Sequence, residues 1–392
     1  MTMAFSTPFT YTSRASRIVF GAGTLDRLEA ELDELGIRRA LILSTPEQRA
    51  LGERVGALAG ERYAGLFDRA VMHVPVETAE AGIKAARDLH ADGLIAAGGG
   101  STIGLAKAIA LDTCLPIVAI PTTYAGSEVT PIYGMTDQRE KRTGKSARVL
   151  PRTVLYDSQL TVTLPAMASA TSGLNAIAHA AEGLYAQDRN PVMSIFAEEG
   201  VRSLVEGLPL VCADTQNLAA RELTQYGAWL CGTVLGSVGM ALHHKLCHTL
   251  GGLFNLPHAE AHAAILPYAL SFNLPAAPEA MYRMERAVGS DDPVAALYAL
   301  ARRIGVSVTL ASLGLTRADL DRAAGAAMQS PYFNPRPLSE RAIRHLLELA
   351  WVGEAPTRDS FDGYALHPTH SAHPAPDVKG RPAANERIRG IS

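Results

Sequence analysis

Residues 94–111 read LIAAGGGSTIGLAKAIAL, and this stretch decides which fold the chain can adopt. Its first four residues are an apolar run typical of a buried strand, and the residues from Thr102 onward have the apolar spacing of a helix. Between them lie Gly98, Gly99, Gly100 and Ser101. Glycines let a backbone approach a ligand closely, and the first N–H groups of a helix attract anions. The stretch therefore predicts a phosphate-binding turn. An ordinary tight turn is the alternative, because Ile103 stands where a dinucleotide fingerprint has its third glycine.

The same alternation of strand and helix patterns runs through the first 160 residues. Short apolar runs predict strands at 17–20, 40–43, 93–97, 116–120 and 153–156. Strands that are apolar on both faces, with helices between them, are typical of a parallel sheet covered on each side. The predicted fold class is therefore α/β with a parallel sheet in the N-terminal part.

A second loop supports a nucleotide-binding role. The predicted strand at 116–120 runs into Pro121–Glu128, and ligands of open α/β sheets bind beyond the carboxyl ends of such strands. The loop offers the hydroxyl groups of Thr122, Thr123 and Ser127. Ser44 ends another predicted strand, where an acidic residue would bind a ribose 2′-hydroxyl and repel a 2′-phosphate. Because serine does neither strongly, we expect both NADH and NADPH to be accepted, with a plain helix cap as the alternative role for Ser44.

The composition of the chain changes after Leu164. Alanine-rich helical patterns follow from Pro165 onward, and β-branched runs become rare. We therefore expect an α/β NAD(P)-binding domain at 1–160 and an all-helical domain at 161–354 that carries the histidine site. The segment 355–392 contains proline, histidine and glycine without periodicity, and it is expected to be a disordered tail.

Charge and cysteine content exclude several classes of protein. The 36 basic and 39 acidic residues give a formal net charge of −3, so no basic excess indicates a nucleic-acid partner. The four cysteines are scattered, which indicates a reducing compartment rather than a disulfide framework. We see neither a secretory signal nor an apolar stretch of membrane-spanning length, and we expect a cytoplasmic protein with no membrane partner.

An ordered set of histidines marks the candidate site. Asn175 and His179 lie four residues apart, as do His244 and His248, so the members of each pair share one helix face. His258 follows in the same segment of the chain. One histidine on an apolar face is usually a core residue, but a spaced set of this kind raises the question of a metal site.

The glycine turn at 98–101, the loop at 121–128 and the block of His244, His248 and His258 together resemble the iron-containing alcohol dehydrogenases, over roughly residues 9–354. The resemblance implies the fold that this family shares with glycerol dehydrogenase and dehydroquinate synthase. It also implies a nicotinamide cofactor, a homodimer, and a position near the cofactor for Lys141.

The resemblance also implies positions for a metal. In the metal-dependent members an aspartate and three histidines hold a divalent ion, and the matching positions here are Asn175, His179, His244 and His258. His248 matches a further active-site histidine that is not a ligand. Asn175 departs from the family pattern, because a neutral amide gives a cation no anionic ligand. Three imidazoles alone can bind zinc, so a metal-dependent alcohol dehydrogenase with Asn175 as a weak ligand stays an alternative.

The maleylacetate reductase branch of this family is more similar still. The shared features are Tyr124 in the second loop, Asn175–His179, Arg148–Thr153 and Asn334–Pro337. Resemblance to this branch implies NADH- or NADPH-dependent reduction of the C=C bond of a small dicarboxylate, maleylacetate or a substituted form of it, to 3-oxoadipate during the breakdown of aromatic compounds. The resemblance to this branch also implies that no metal is needed.

The chemistry of such a reduction assigns roles to these residues. Charge that develops on the substrate ketone oxygen needs hydrogen donors, and imidazoles gain and lose protons near neutral pH. The predicted catalytic residues are His179, His244, His248, His258 and Tyr124. We expect His248 to donate the proton, and Asn175 and Lys245 to bind the substrate.

Two further alternatives belong to other functional classes. A lyase similar to dehydroquinate synthase would need an intact metal site and more basic residues than lie near His244–His258. A nucleotide-binding homologue without catalytic activity would not need the complete histidine set.

Overall fold

The computed structural model describes residues 9–13, 16–137, 140–329, 331–357 and 359–365. Within them the strands are β1 (Arg17–Phe20), β2 (Ala40–Leu43), β3 (Tyr63–Phe67), β4 (Gly93–Gly98), β5 (Ile117–Pro121), β6 (Ile132–Asp137), β7 (Glu140–Lys145) and β8 (Thr153–Tyr156). Six of them form one sheet in the order β1-β8-β5-β4-β2-β3, and every neighbouring pair is parallel. The predicted α/β fold with a parallel sheet is confirmed.

The sheet is buried on both faces because its side chains alternate between two apolar cores. In β2, Leu41 and Leu43 belong to one core, whereas Ala40 and Ile42 belong to the other. The covering helices are α1 (Leu28–Glu34), α2 (Arg49–Ala59), α3 (Val76–Asp88) and α4 (Gly100–Thr113). Residues of α3 and α4 join the first core, and residues of α1 and α2 join the second. Such double coverage explains why these strands read as continuous apolar runs.

Helices make up the rest of the described chain. They are α5 (Ala166–Leu184), α6 (Pro191–Ala213), α7 (Leu218–Ser237), α8 (Leu242–Phe254), α9 (His258–Asn273), α10 (Pro278–Val288), α11 (Pro293–Arg303), α12 (Arg317–Met328) and α13 (Glu340–Val352). The side chains of Asn190, Asn217 and Ser339 accept hydrogen bonds from backbone N–H groups and so fix where α6, α7 and α13 begin. Helix α9 contributes to both apolar cores of this half and is its central element. No helix in the described part of the chain is long and apolar enough to cross a membrane.

Three strands, β3 at the sheet edge and the pair β6 and β7, were not predicted from the sequence. Strand β3 lies at the edge of the sheet, where most of its residues are only partly buried. Strands β6 and β7 form an antiparallel hairpin outside the main sheet, and β7 reads EKRTGK. Neither segment shows the apolar run of a strand covered on both faces, so the pattern used for the other strands does not detect them.

The packed chain extends beyond the boundary that we expected at 354. Phe361 is fully buried, and the Arg336 guanidinium donates hydrogen bonds to the backbone oxygens of Phe361 (2.6 Å), Tyr364 (2.8 Å) and Ala365 (3.1 Å). A packed segment therefore continues to Ala365, and the sequence did not reveal it because its partner is a distant arginine. Residues 366–392 of the expected tail lie outside the described residues.

A buried lysine joins α4 to the loop that follows β5. Nζ of Lys107, which has no solvent exposure, donates to the backbone oxygens of Ser127 (2.6 Å), Thr130 (2.8 Å) and Ile132 (2.8 Å). The hydroxyl of Thr130 lies 2.9 Å from the same nitrogen. Burial lowers the pKa of Lys107 to about 7, and the nearby Glu128 carboxylate opposes that effect. Through these bonds the loop is held against the helix that begins at the glycine turn.

We expect Lys107→Met to lower the free energy of unfolding by about 3 kcal/mol or more, because several buried oxygens lose their donor and each such loss costs about 1–3 kcal/mol. Urea denaturation measures the change. The matched control is Lys84→Met, which removes an exposed lysine paired with Asp88 and should change stability little. Equal unfolding midpoints for the two variants would contradict this role of Lys107.

Candidate functional site

The glycine turn lies between β4 and α4, as the sequence predicts. Gly98 ends the strand with φ at 155°, a conformation that L side chains rarely adopt. A β-carbon at Gly99 would lie only 2.8 Å from Cγ2 of Thr123, so the turn and the second loop are in direct contact. Helix α4 begins at Gly100, and the first N–H groups of a helix have no partner within the helix. The geometry therefore fits a phosphate-bearing cofactor at the carboxyl ends of β4 and β5.

Hydrogen bonds fix the two loops relative to each other. Thr122 N–H donates to the Gly98 oxygen at 3.2 Å, and the Gln48 side chain donates to Oγ1 of Thr122 at 2.9 Å. Ser101, Thr123 and Ser127 are partly exposed beside this contact. The sequence analysis did not select Gln48, although it follows the end of β2 closely.

Two residues predicted to bind the cofactor gain no support from their positions. Ser44 is fully buried, and a β-carbon at Gly52 of α2 would lie 3.1 Å from its Oγ, so the hydroxyl lies under α2 rather than at an open surface. Lys141 belongs to β7, but its side chain lies outside the part of the chain that the structure describes.

Three helices bring the predicted histidines together. The ring centres of His179 on α5 and His244 on α8 are 5.0 Å apart. His248 lies one turn further along α8, with its ring centre 6.2 Å from that of His244 and 6.4 Å from that of His258 at the start of α9. Asn175 lies one turn before His179 and is almost fully buried.

His262 lies at the centre of this cluster. Its ring centre is 4.3 Å from that of His258, 4.9 Å from that of His244 and 6.4 Å from that of His179. Behind it, Nδ1 of His262 lies 3.0 Å from Nε2 of His243. His243 and His262 were not among the site residues predicted from the sequence. The spacing of four residues between His258 and His262 does place these two on one face of a helix.

The solvent exposure of the histidines increases from the interior of the cluster to its mouth. His179, His243 and His262 are buried, whereas His248 and His258 are exposed. Burial, reinforced by repulsion from neighbouring imidazoles, holds the pKa values of His179 and His262 well below their usual range and lowers that of His243 to about 3. The inner imidazoles are therefore neutral near pH 7, because a buried positive charge is costly.

A buried carboxylate fixes the orientation of His244. Oε2 of Glu182, which has almost no exposure, lies 2.7 Å from Nδ1 of His244. The same carboxylate accepts hydrogen bonds from the backbone N–H groups of Ala241 (3.0 Å) and His243 (2.7 Å). Burial alone would raise the pKa of Glu182, but the bond from His244 and the neighbouring charges keep it below its usual value. An ionised carboxylate only accepts hydrogen bonds, so Nδ1 carries a hydrogen and Nε2 is the atom of His244 left for other contacts.

Five buried polar atoms in the cluster have no hydrogen-bond partner within the described chain. They are Oδ1 of Asn175, Nδ1 of His179, Nδ1 of His243, Nε2 of His244 and Nε2 of His262. Unpaired buried polar atoms are costly, and their concentration in one place is typical of a site that receives a polar ligand.

The donor atoms at these positions differ from those that hold the divalent ion in the family's metal-dependent members. Asn175 supplies an uncharged amide in place of a carboxylate. Within the described residues, one group of three His, Cys, Asp or Glu side chains has all its ligand atoms within 4.8 Å of one another, and it is His243, Cys247 and His262. The nitrogens of His179, His244 and His258 do not converge in this way.

Two other predicted residues have contacts with side chains other than the imidazoles. Tyr124 is fully buried, and its hydroxyl accepts a hydrogen bond from the Arg221 guanidinium at 3.3 Å. Burial raises the pKa of Tyr124, which makes its phenol a weaker proton donor. Lys245 is half-buried, with Nζ 5.6 Å from the ring centre of Tyr332. These positions leave the predicted roles of Tyr124 and Lys245 untested.

The second loop connects the glycine turn to the histidine cluster. Gly126 has φ at 75°, and a β-carbon there would lie 2.8 Å from Cα of Gly232 on α7. The same β-carbon would lie 3.6 Å from Nδ1 of His179. A cofactor held at the loops therefore lies next to the imidazoles, as a hydride transfer to a substrate in the cleft requires.

The comparisons with known proteins agree with this architecture. The model of the iron-containing alcohol dehydrogenases matches residues 15–158, and the model of the C-terminal part of the Fe-containing alcohol dehydrogenase family matches residues 169–351. The chain is 56% identical to a maleylacetate reductase of Burkholderia cepacia, over 89% of this chain and 99% of that protein. It is 55% identical to one of Pseudomonas sp. (strain P51), over 87% and 97%. The crystal structure of maleylacetate reductase from Agrobacterium tumefaciens superposes with a TM-score of 0.87 at 49% identity, covering 89% of this chain and 100% of that one.

We expect Gly99→Ala to weaken NADH binding about tenfold or more, a loss of about 1.4 kcal/mol. The added methyl group would push the glycine turn away from Thr123 and distort the phosphate cradle. NADH fluorescence titration measures the affinity. Gly325→Ala in α12 is the control, because its β-carbon would lie 3.8 Å from the nearest side chain. Unchanged NADH affinity of Gly99→Ala would show that the contact between the loops does not shape the cofactor site.

Proposed function

Because the chain belongs to the iron-containing alcohol dehydrogenase family, we propose that it is an NADH- or NADPH-dependent reductase that converts maleylacetate to 3-oxoadipate. The observation that carries the proposal is the identity of 50–56%, over nearly the full length, to proteins named maleylacetate reductase. The histidine cleft beside the cofactor loops supplies the hydrogen donors that such a reduction needs.

A nicotinamide bound at these loops would supply the hydride that reduces the C=C bond, at the alkene carbon β to the substrate ketone. The chain's own contribution begins with positioning. The N-terminus of α4 and the glycine turn bind the cofactor phosphates, and Lys107 and Gln48 hold the second loop in place around them. The contact of that loop with α7 fixes the loop beside His179.

The ketone oxygen gains negative charge as the C=C bond is reduced, and it needs fixed hydrogen donors. We assign this role to the inner part of the cluster, where Nε2 of His262 has no protein partner and the Asn175 side chain carries an amide N–H₂ group. Nε2 of His244 joins them when both nitrogens of that ring carry hydrogen. Glu182 restricts His244 to one orientation and leaves Nε2 as the atom available to the substrate. A neutral amide at position 175 does not repel the anionic substrate as a carboxylate would.

The carbon next to the ketone must then receive a proton. We assign the donation to His248, because it is exposed at the mouth of the cleft and can recover its proton from water. His258, whose ring stacks at 6.4 Å from that of His248, lies in the same region. Lys245 and Asn175 are our assignments for binding the substrate carboxylates and ketone.

We further propose that no step depends on a bound metal, since the donor set lacks a carboxylate and its imidazoles do not converge. The resemblance to the branch also supports a homodimer that works in the cytoplasm during the breakdown of aromatic compounds. Ser44, rather than an acidic residue, follows β2. We therefore expect no strong preference for NADH over NADPH.

The decisive assay follows the NADH absorbance band with maleylacetate and, in parallel, with simple alcohols and NAD⁺, each before and after treatment with a chelator. We expect NADH to be consumed stoichiometrically with maleylacetate, no comparable turnover of alcohols, and no effect of the chelator. Net NADH consumption also excludes a lyase that regenerates its cofactor.

Loss of maleylacetate reduction after chelation, with recovery on adding Fe²⁺ or Zn²⁺, would contradict the metal-independent mechanism. Efficient alcohol oxidation without maleylacetate reduction would instead favour the metal-dependent alcohol dehydrogenase.

A further inference from the structure

A group of three ligating side chains lies behind the cleft. His243 and Cys247 are one turn apart on α8, and His262 faces them from α9. Nε2 of His243 lies 3.0 Å from Nδ1 of His262 and 3.7 Å from Sγ of Cys247. No member of the group is more than 2% exposed. The group shares His262 with the cleft, but the reductase mechanism uses neither Cys247 nor His243 directly.

We propose that His243, Cys247 and His262 form a binding site for a thiophilic divalent cation such as Zn²⁺, distinct from the four positions that match the family's metal site. Their ligand atoms all lie within 4.8 Å of one another, close enough for one cation to contact all three.

The distances agree with tetrahedral coordination. With Zn–N of about 2.0 Å and Zn–S of about 2.3 Å, tetrahedral coordination separates two nitrogens by about 3.3 Å and a nitrogen from a sulfur by about 3.6 Å. The observed separations of 3.0 Å and 3.7 Å differ from these values by only a few tenths of an ångström. By contrast, the family positions lack convergent nitrogens and offer no sulfur.

The charges around the group also favour a cation. Glu182 accepts a hydrogen bond from the backbone N–H of His243 at 2.7 Å, so a buried carboxylate lies next to the site. Burial, together with the charge of Glu182, raises the pKa of Cys247, and a bound cation removes that penalty. One thiolate and one carboxylate balance the double positive charge of the ion, which makes its burial tolerable.

Binding requires defined changes in protonation. The Cys247 thiol loses its proton to solvent as the S–metal bond forms. The hydrogen bond between Nε2 of His243 and Nδ1 of His262 breaks, and its hydrogen moves to the other nitrogen of the donor ring. Those other nitrogens, Nδ1 of His243 and Nε2 of His262, have no partner within the described chain, so either can carry it. No oxidant or reductant takes part.

An ion at this site would hold His262, whose ring centre is 4.9 Å from that of His244 and 4.3 Å from that of His258. We therefore expect Zn²⁺ to inhibit the enzyme by immobilising the imidazole at the centre of the cleft. This consequence rests on the proposed function, whereas binding of the ion does not.

The test is a titration of the full-length, chelator-treated protein with Co²⁺, which reports its ligands in the absorption spectrum. We expect equimolar Co²⁺ to produce the near-ultraviolet charge-transfer band of a cobalt–thiolate bond, together with the visible bands of tetrahedral cobalt. Zn²⁺ should displace the cobalt and remove both. The spectra show whether the three side chains bind a cation, even if the protein does not reduce maleylacetate.

Variants identify the ligands. Cys247→Ser should abolish the charge-transfer band, and His243→Gln should weaken Co²⁺ binding about tenfold or more. Cys231→Ser, which removes another buried thiol, and His258→Gln, which alters a family metal position, should both keep the band. The proposal is overturned if equimolar Co²⁺ gives no thiolate band, if the band survives Cys247→Ser, or if His258→Gln removes it.

Discussion

The hydrogen bond of 2.7 Å between the Glu182 carboxylate and Nδ1 of His244 ties α5 to α8 and sets the geometry of the cleft. The carboxylate also accepts N–H groups at the start of α8, where a helix has donors without partners and a dipole that favours negative charge. These contacts lower the pKa of Glu182 more than burial raises it. The carboxylate therefore stays ionised in the interior. The Glu182 side chain therefore both caps the start of α8 and fixes the orientation of the His244 ring.

The inner imidazoles stay neutral in spite of this buried charge, because burial and repulsion from neighbouring imidazoles lower their pKa values. Positive charge is costly in the interior, so His179 and His262 stay unprotonated. His248 and His258 are exposed at the mouth, where we propose that protons are exchanged. A substrate with two carboxylates then meets no fixed negative charge at position 175. The cofactor loops reach this region because Lys107 and a contact between two glycines hold them against α4 and α7.

The sequence predicted the fold and the grouping of His179, His244, His248 and His258 because both leave local patterns. The central strands are covered on both faces and read as apolar runs, and His244 and His248 share a helix face. The β6–β7 hairpin and the segment around Phe361 were missed, since they are fixed by contacts that lack such a pattern. Glu182 was missed for the same reason, because its partner lies on another helix. His262 differs from these, since its spacing of four residues from His258 is a local pattern visible in the sequence.

The central claim is that Glu182 acts through His244 on the reacting substrate, and Glu182→Gln tests it most directly when kcat, the KM for NADH and the melting temperature are measured together. The account predicts a fall in kcat of about 10- to 100-fold, because a hydrogen bond to a charged group contributes about 1.5–3 kcal/mol. The KM for NADH should hardly change, and Glu31→Gln, which neutralises a buried carboxylate paired with Arg17, should keep kcat. An unchanged kcat in Glu182→Gln, or a loss of kcat that only parallels loss of folded protein, would contradict the account.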